Sequence, residues 1–113
     1  MLSAEQIIQY QASTDLLDQR IILVTGAGDG IGKAAALACA NVGAKVILAG
    51  RTVAKLEQVY DLITAAGQAE PVLYPIDLEG ATTEDYDQLC VNIIEQFGRL
   101  DGLLHNAGIL GQR

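Results

Sequence analysis

The residues with the most direct chemical potential occupy positions 25–32, which read Thr-Gly-Ala-Gly-Asp-Gly-Ile-Gly. This segment follows an apolar run at 21–24 and precedes an alanine-rich stretch that is typical of a helix. Glycines at such a junction allow a sharp turn, and they let a phosphate approach the amide groups of a helix N-terminus, where the macrodipole favours negative charge. The segment therefore predicts a nucleotide-binding loop, with a ligand-free tight turn as the alternative.

The spacing of the glycines excludes two common phosphate-binding motifs. A P-loop requires glycine where Ala27 stands and a hydroxyl residue where Ala34 stands. The dinucleotide fingerprint G-x-G-x-x-G fails as well, because its third glycine would fall on Ile31 or Lys33. The pattern that remains is Thr-Gly-x-x-x-Gly-x-Gly, formed by Thr25, Gly26, Gly30 and Gly32.

Composition and charge narrow the class of protein. Half of the 113 residues are hydrophobic but only 4% are aromatic, so the core must be built from small aliphatic side chains, which suits helices packed on a parallel sheet. The formal net charge of −7 argues against nucleic acid or an anionic membrane as a partner. No apolar run approaches the roughly 20 residues of a membrane span, and the N-terminus lacks the basic-then-apolar order of a signal peptide.

The two cysteines, Cys39 and Cys90, both fall within helical patterns and form no metal-type pair. We expect both to be buried, reduced thiols. Reduced thiols without a disulfide framework are typical of a cytoplasmic protein, and we expect that location.

From residue 21 onwards, strand-like and helix-like segments alternate. The hydrophobic periodicity predicts strands at 21–24, 45–49, 71–76 and 100–105, and helices at 30–42, 53–66 and 83–97. A glycine follows each predicted helix, as expected for a helix C-terminus. Repeated strand–helix–glycine units are typical of right-handed βαβ crossovers in a parallel sheet. The sequence therefore predicts an α/β fold, in which residues 1–20 are an N-terminal extension and residues 21–113 form one folded unit.

The second and third predicted helices carry apolar residues at helical spacing, and we expect each stripe to face the sheet. The stripes comprise Val53, Leu56, Val59, Tyr60 and Ile63 in the second helix, and Tyr86, Leu89, Cys90, Ile93, Ile94 and Phe97 in the third.

Two prolines, Pro71 and Pro75, lie in the third predicted strand. Proline cannot donate to a strand ladder, so this strand belongs at an edge of the sheet. The Rossmann-type doubly wound order 3-2-1-4 satisfies that requirement and places the third helix on the opposite face from the first two. Ligands bind beside the switch point of such a sheet, which here falls between the first and fourth strands.

Four loops meet at the carboxyl ends of these strands, and together they resemble the short-chain dehydrogenase/reductase family. They are the glycine loop, the Gly-Arg-Thr segment at 50–52, the Asp-Leu pair at 77–78 and the Asn-Ala-Gly segment at 106–108. In that family these positions are the pyrophosphate loop, the ribose selector, the acid beside the adenine and a segment flanking the cofactor. The cofactor-binding residues that the resemblance implies are Thr25, Gly26, Gly28, Asp29, Gly30, Ile31, Gly32, Arg51, Asp77, Leu78, Asn106, Ala107 and Gly108.

Several of these residues also have a structural interpretation. Asp77 could simply begin a turn, and Asn106 could bridge the sheet. Lys33 could help to hold phosphate or could be a solvated surface residue. The chain also departs from the family pattern at His105, where asparagine is usual.

The second strand end bears on the choice of cofactor. An NAD site of this fold requires a carboxylate there for the ribose 2′-hydroxyl, whereas this chain has Gly50 followed by Arg51. A guanidinium can pair bidentately with a 2′-phosphate, so the sequence favours NADP over NAD as the alternative. Asp29 argues the other way, because many NADP-preferring relatives have a basic residue in that loop. Arg51 as a plain surface residue also stays open.

The resemblance implies hydride transfer between a nicotinamide cofactor and a carbonyl or alcohol substrate, by a homo-oligomeric enzyme. The family's catalytic Ser and Tyr-x-x-x-Lys residues follow the Asn-Ala-Gly segment, and none of the chain's tyrosines has lysine four positions later. We therefore expect the chain to be the N-terminal, cofactor-binding half of a Rossmann-type domain, without catalytic residues and inactive by itself. Substrate-dependent NADPH oxidation by the pure chain would contradict this. The alternative is a non-catalytic nucleotide-binding or sensing module.

Overall fold

The computed structural model describes residues 17–104 as alternating strands and helices around one parallel sheet. In chain order the elements are β1 (Ile21–Thr25), α1 (Gly30–Asn41), β2 (Lys45–Gly50), α2 (Val53–Ala65), β3 (Val72–Pro75), α3 (Thr83–Phe97) and β4 (Gly102–Leu104). The strand order is β3-β2-β1-β4, and all three strand pairs are parallel. The predicted α/β Rossmann-type topology is therefore confirmed, including the edge position of the proline-containing strand.

Alternate residues of the central strands face two separate apolar clusters. Val24, Val46 and Leu48 join α1 and α2 in the larger cluster on one face of the sheet. Leu23 and Ile47 join α3 in the smaller cluster on the other face. The predicted placement of α3 opposite the first two helices is confirmed. Burial of both faces explains why these strands read as continuous aliphatic runs.

The C-terminus of α3 is set by Gly98, which has φ +87°, and its amide donates to the Ile94 carbonyl. A residue with a Cβ rarely adopts this left-handed conformation, so the glycine ends the helix at little steric cost. Glycines at 43 and 67, which follow α1 and α2, also have positive φ values. The predicted glycine stops are therefore confirmed.

Some predicted boundaries and buried positions are wrong in detail. The fourth strand begins at Gly102 rather than at residue 100; the preceding Asp101 bonds to Ile21 of β1 through both its amide and its carboxylate. The third strand is four residues long; Pro71, which has no N–H to donate, precedes it. Val53 and Ile94 are 42% and 46% exposed, so the buried helical stripes are narrower than predicted. Residues 1–16 of the predicted N-terminal extension and residue 105 of the predicted fourth strand lie outside the described residues.

Candidate nucleotide-binding site

The glycine loop connects the end of β1 to the start of α1. Gly26 has φ +63°, which turns the chain sharply after the strand. The Ala27 amide donates to the Ala49 carbonyl across 3.1 Å, and this bond ties the loop to the end of β2. The loop is therefore held beside two neighbouring strand ends.

Gly32 brings the first turn of α1 against the loop. A Cβ at this position would lie 1.9 Å from the Gly26 carbonyl oxygen, a distance that no real Cβ could adopt. Glycine at 32 is therefore required for the close approach of helix and strand end that dinucleotide sites of this fold use. The helix N-terminus is directed at the loop, where its partial positive charge suits a phosphate.

Gly28 brings the same loop against the first turn of α2. A Cβ at Gly28 would lie 2.8 Å from the Cβ of Lys55, so the lysine stem occupies the space that a side chain would need. A cavity of about 180 Å³ lies at this junction, between the glycine loop and the loop that follows β2. Arg51, Thr52 and Lys55 line it from the β2 side.

Gly50 stands at the end of β2, where a carboxylate would select NAD. A Cβ at Gly50 would lie 3.1 Å from Leu56 Cδ2, so a larger side chain would press against the first turn of α2. Arg51, Thr52 and Lys55 line the cavity beyond this strand end, and β2 itself ends without an acidic residue.

Two ion pairs flank the cavity, each joining one cation to an acid from a neighbouring loop. Arg51 Nη1 lies 3.0 Å from Glu79 Oε1, and Lys55 Nζ lies 2.7 Å from Asp29 Oδ2. All four side chains are about half exposed or more. Lys55 and Glu79 were not predicted from the sequence, because charged residues in a first helical turn or a loop carry no local signal of a site.

Asp77 and Leu78 follow the end of β3 and directly precede Glu79 in the chain. The Glu79 amide donates to Asp77 Oδ1 across 2.9 Å, so the carboxylate closes a local turn, as the structural interpretation predicts. Leu78 is partly buried against the α3 side of the sheet. Both residues line a second cavity of about 360 Å³, between this loop and α3.

The remaining predicted site residues have mixed positions. Thr25 is fully buried, and its hydroxyl donates to the Leu104 carbonyl across 3.4 Å, which links β1 to β4. Ile31 is 54% exposed beside the glycine loop. The predicted residues Asn106, Ala107 and Gly108 lie outside the described residues, so the structure does not locate the fourth loop of the site.

The opposite end of the sheet is braced by Asp101. Its carboxylate accepts from the Ile21 amide at 2.8 Å and receives two hydrogen bonds from the Arg99 guanidinium at 2.6 and 2.9 Å. The hydrogen bonds from Arg99 and Ile21 hold the pKa of Asp101 below its usual range. This carboxylate serves neighbouring backbone, far from the predicted nucleotide site.

The cysteines are free thiols. Cys39 is fully buried, and desolvation raises its pKa to about 12. Cys90 is partly exposed rather than buried, because it lies on the flank of the α3 stripe; its pKa is raised by burial and by nearby Asp87. Within residues 17–104, no cluster of three or more potential metal ligands occurs, and none of the helices is long and apolar enough to cross a membrane.

This sheet order and glycine loop define a Rossmann-type nucleotide-binding unit, and sequence comparison assigns its family. The family described as short chain dehydrogenase matches residues 20–113. The chain belongs to that family. Two bacterial relatives illustrate the similarity: the uncharacterized oxidoreductase YciK of Escherichia coli K12 is 49% identical over 104 residues, and Lmo0432 of Listeria monocytogenes is 39% identical over 94 residues.

Solved structures agree with this assignment. The structure of YciK from E. coli has a TM-score of 0.76 and 50% identity, over 90% of this chain and 42% of that chain. A short chain dehydrogenase from E. coli CFT073, complexed with NADPH, has a TM-score of 0.74 and 51% identity, over 88% of this chain and 41% of that chain. The expected membership of the short-chain dehydrogenase/reductase family is confirmed, and the similarity extends to the oxidoreductase YciK.

The similarity covers most of this chain but only part of each relative. The match to YciK spans 92% of the chain and 41% of YciK, and the match to Lmo0432 spans 83% and 37%. The chain thus spans about two fifths of the length of these curated relatives.

Proposed function

We propose that the chain is the NADP(H)-binding part of a short-chain oxidoreductase that transfers hydride between the cofactor and a carbonyl or alcohol substrate. One observation carries the proposal. The N-terminus of α1 packs closely on the glycine loop through Gly32, and a cavity lined by Arg51 and Lys55 lies beside it at the end of β2. NADP(H), when bound, supplies or accepts the hydride. A structure of a relative with NADPH supports the same choice of cofactor.

The residues present fit such a cofactor. Because Gly32 has no Cβ, the first turn of α1 packs directly on the backbone of Gly26. The first amides of α1 therefore lie at the glycine loop, where a pyrophosphate could bind them. Arg51 follows β2 and carries a forked donor suited to a 2′-phosphate. In the whole protein, Asp77, Leu78 and the 106–108 segment would flank the adenosine and nicotinamide ends.

The catalytic chemistry is proposed for the whole protein and not for the described residues. A catalytic tyrosine in this chemistry needs a lowered pKa, so that it can exchange a proton near neutral pH. The pKa values of Tyr60 and Tyr86 are raised instead, by the hydrogen bond to Glu70 and by burial respectively. The relatives compared are oxidoreductases and dehydrogenases by name, which does not favour a non-catalytic module.

Exchanging the charge at Arg51 tests the proposed cofactor preference. Arg51→Asp replaces a charge-assisted pair with a repulsion, so the dissociation constant for NADPH should rise about 10- to 100-fold relative to that for NADH. The two constants are measured by calorimetry on the protein expressed from its whole gene. Gln58→Asp, which adds an acid at an exposed position further along α2, is the control and should leave the ratio unchanged. An unchanged ratio in Arg51→Asp would exclude Arg51 as the selector.

A further inference from the structure

We propose that Lys55 is a second residue that recognises the cofactor's 2′-phosphate, and that Asp29 is its exchangeable counter-ion. This inference rests on the proposed function, because it concerns the same cavity. Lys55 would then help to select NADP, and Asp29 would lower the affinity for the 2′-phosphate by competing for Lys55.

Lys55 and Arg51 line the same cavity from one side. Arg51 directly follows β2, and Lys55 lies in the first turn of α2. The stem of Lys55 passes beside Gly28, where a Cβ would come within 2.8 Å of it. The absence of a side chain at Gly28 therefore leaves room for Lys55 beside the glycine loop. A phosphate in this cavity would lie within reach of both Arg51 and Lys55.

The N-terminus of α2 faces the same cavity. Thr52 occupies the N-cap position and lines the cavity, but its side chain makes no capping hydrogen bond. The positive end of the helix macrodipole adds to the charges of Arg51 and Lys55 there. Three positive groups thus meet at a volume of about 180 Å³, and the two side chains among them are paired there with the exposed carboxylates of Glu79 and Asp29.

Asp29 holds Lys55 in the described structure. Its Oδ2 atom accepts from Lys55 Nζ at 2.7 Å, although Asp29 stands at the N-cap of α1 and makes no side-chain cap bond there. The Asp29 side chain is 72% exposed, and an exposed pair of this kind is weak. A phosphate monoester carries roughly 1.5 to 2 negative charges near pH 7, and it therefore competes well with a single carboxylate for Lys55.

This arrangement predicts opposite effects for the two partners. Removing the Lys55 charge should weaken binding of a 2′-phosphate, whereas removing the Asp29 charge should strengthen it by freeing Lys55. A merely structural ion pair predicts a different result. In that case, loss of either partner would loosen the glycine loop and weaken all adenosine nucleotides equally.

The test uses two probes that differ only in the 2′-phosphate: adenosine 2′,5′-bisphosphate and adenosine 5′-monophosphate. Calorimetry on the protein expressed from its whole gene compares Lys55→Met, Lys55→Arg, Asp29→Asn and the Lys55→Met/Asp29→Asn double variant. We expect Lys55→Met to weaken the bisphosphate about 5- to 30-fold, as for loss of one charge-assisted bond, while the monophosphate changes less than about 2-fold. Lys55→Arg, which keeps the charge, should retain most of the affinity.

Asp29→Asn should tighten the bisphosphate by about 2- to 5-fold, the size expected for release of an exposed ion pair. That gain should disappear in the double variant, because Asp29 acts through Lys55. Equal losses for both probes in Lys55→Met, or an undiminished gain in the double variant, would overturn the inference alone. An unaltered protein that binds neither NADPH nor the bisphosphate would overturn the proposed function as well.

Discussion

Single residues decide the geometry of both ends of the sheet. At the carboxyl end, Gly28 and Gly32 are required by what lies next to them, a lysine stem in one case and a carbonyl oxygen in the other. At the amino end, Asp101 joins the first and fourth strands by accepting from Ile21. The two glycines leave space for a ligand, whereas the Asp101 carboxylate stabilises the pairing of β1 with the segment before β4.

Asp101→Asn should lower the free energy of unfolding by about 1–2 kcal/mol at pH 7, because hydrogen bonds from Arg99 and Ile21 prefer a charged acceptor. The pKa of Asp101 is lowered in the folded state, so its stabilising effect is fully present above the unfolded value of about 3.9 and is lost as the pH falls through the folded value. Urea unfolding of both proteins at pH 7 and pH 3 measures this.

The difference between the two proteins should therefore be largest at pH 7 and shrink in acid. Asp61→Asn, at an exposed position on α2, is the matched control and should change stability little at either pH. A difference at pH 3 as large as that at pH 7 would mean that the Asp101 charge does not stabilise the strand pair.

At the scale of elements, the three helix N-termini are not equivalent. The side chains at the N-cap positions of α1 and α2, Asp29 and Thr52, make no capping bonds, and both residues line the proposed nucleotide cavity. By contrast, α3 has a complete capping box: Thr82 accepts from the Asp85 amide, and Asp85 accepts from the Thr82 amide. The helix ends beside the cavity thus lack side-chain caps, while the helix that packs on the other face is capped by its own residues.

Thr82→Ala should destabilise the protein by about 1 kcal/mol, the usual effect of losing an N-cap side chain. Thr83→Ala, one position along and also exposed, is the control, since no hydrogen bond of the Thr83 side chain is part of the box. The midpoint of urea denaturation, followed by circular dichroism, compares the two variants. Equal losses would show that the capping box contributes nothing specific to α3.

At the scale of the whole molecule, the sheet and α3 present surfaces open to a partner. Among the described residues, β4 pairs with β1 alone, so one edge of an apolar strand has no strand neighbour there. Val91 and Ile94 on α3 are each 46% exposed. Open strand edges and apolar side chains favour association between chains. The proposed homo-oligomer remains a prediction of the family resemblance.

We expect the isolated 113-residue chain to self-associate or aggregate at tens of micromolar. Ile94→Lys should shift light scattering towards smaller species, because it places a charge on the exposed face of α3. Leu62→Lys is the control, since Leu62 is 49% exposed on α2, across the sheet. A monodisperse monomer formed by the unaltered chain would contradict the expectation.

The sequence by itself determined the order of elements, the parallel sheet and the edge position of β3. These features depend on local patterns: aliphatic runs, helical spacing, glycine stops and prolines that cannot donate. The glycine loop was equally predictable from sequence, because the need for glycine at 26 and 32 arises within one short segment of the chain. Several strand and helix ends differed from the predictions by one or two residues, where local signals compete with side-chain contacts.

The pairs that join distant positions were decided only by the tertiary structure. Lys55 meets Asp29, Arg51 meets Glu79, and Asp101 meets Ile21 across 80 positions. No local pattern encodes such a partner, because it depends on the register of neighbouring strands and on the direction in which each loop leaves the sheet. Asp29 is an example. From the sequence, its charge argues against a site for the 2′-phosphate of NADP, whereas in the fold that charge is paired with Lys55 at the same cavity.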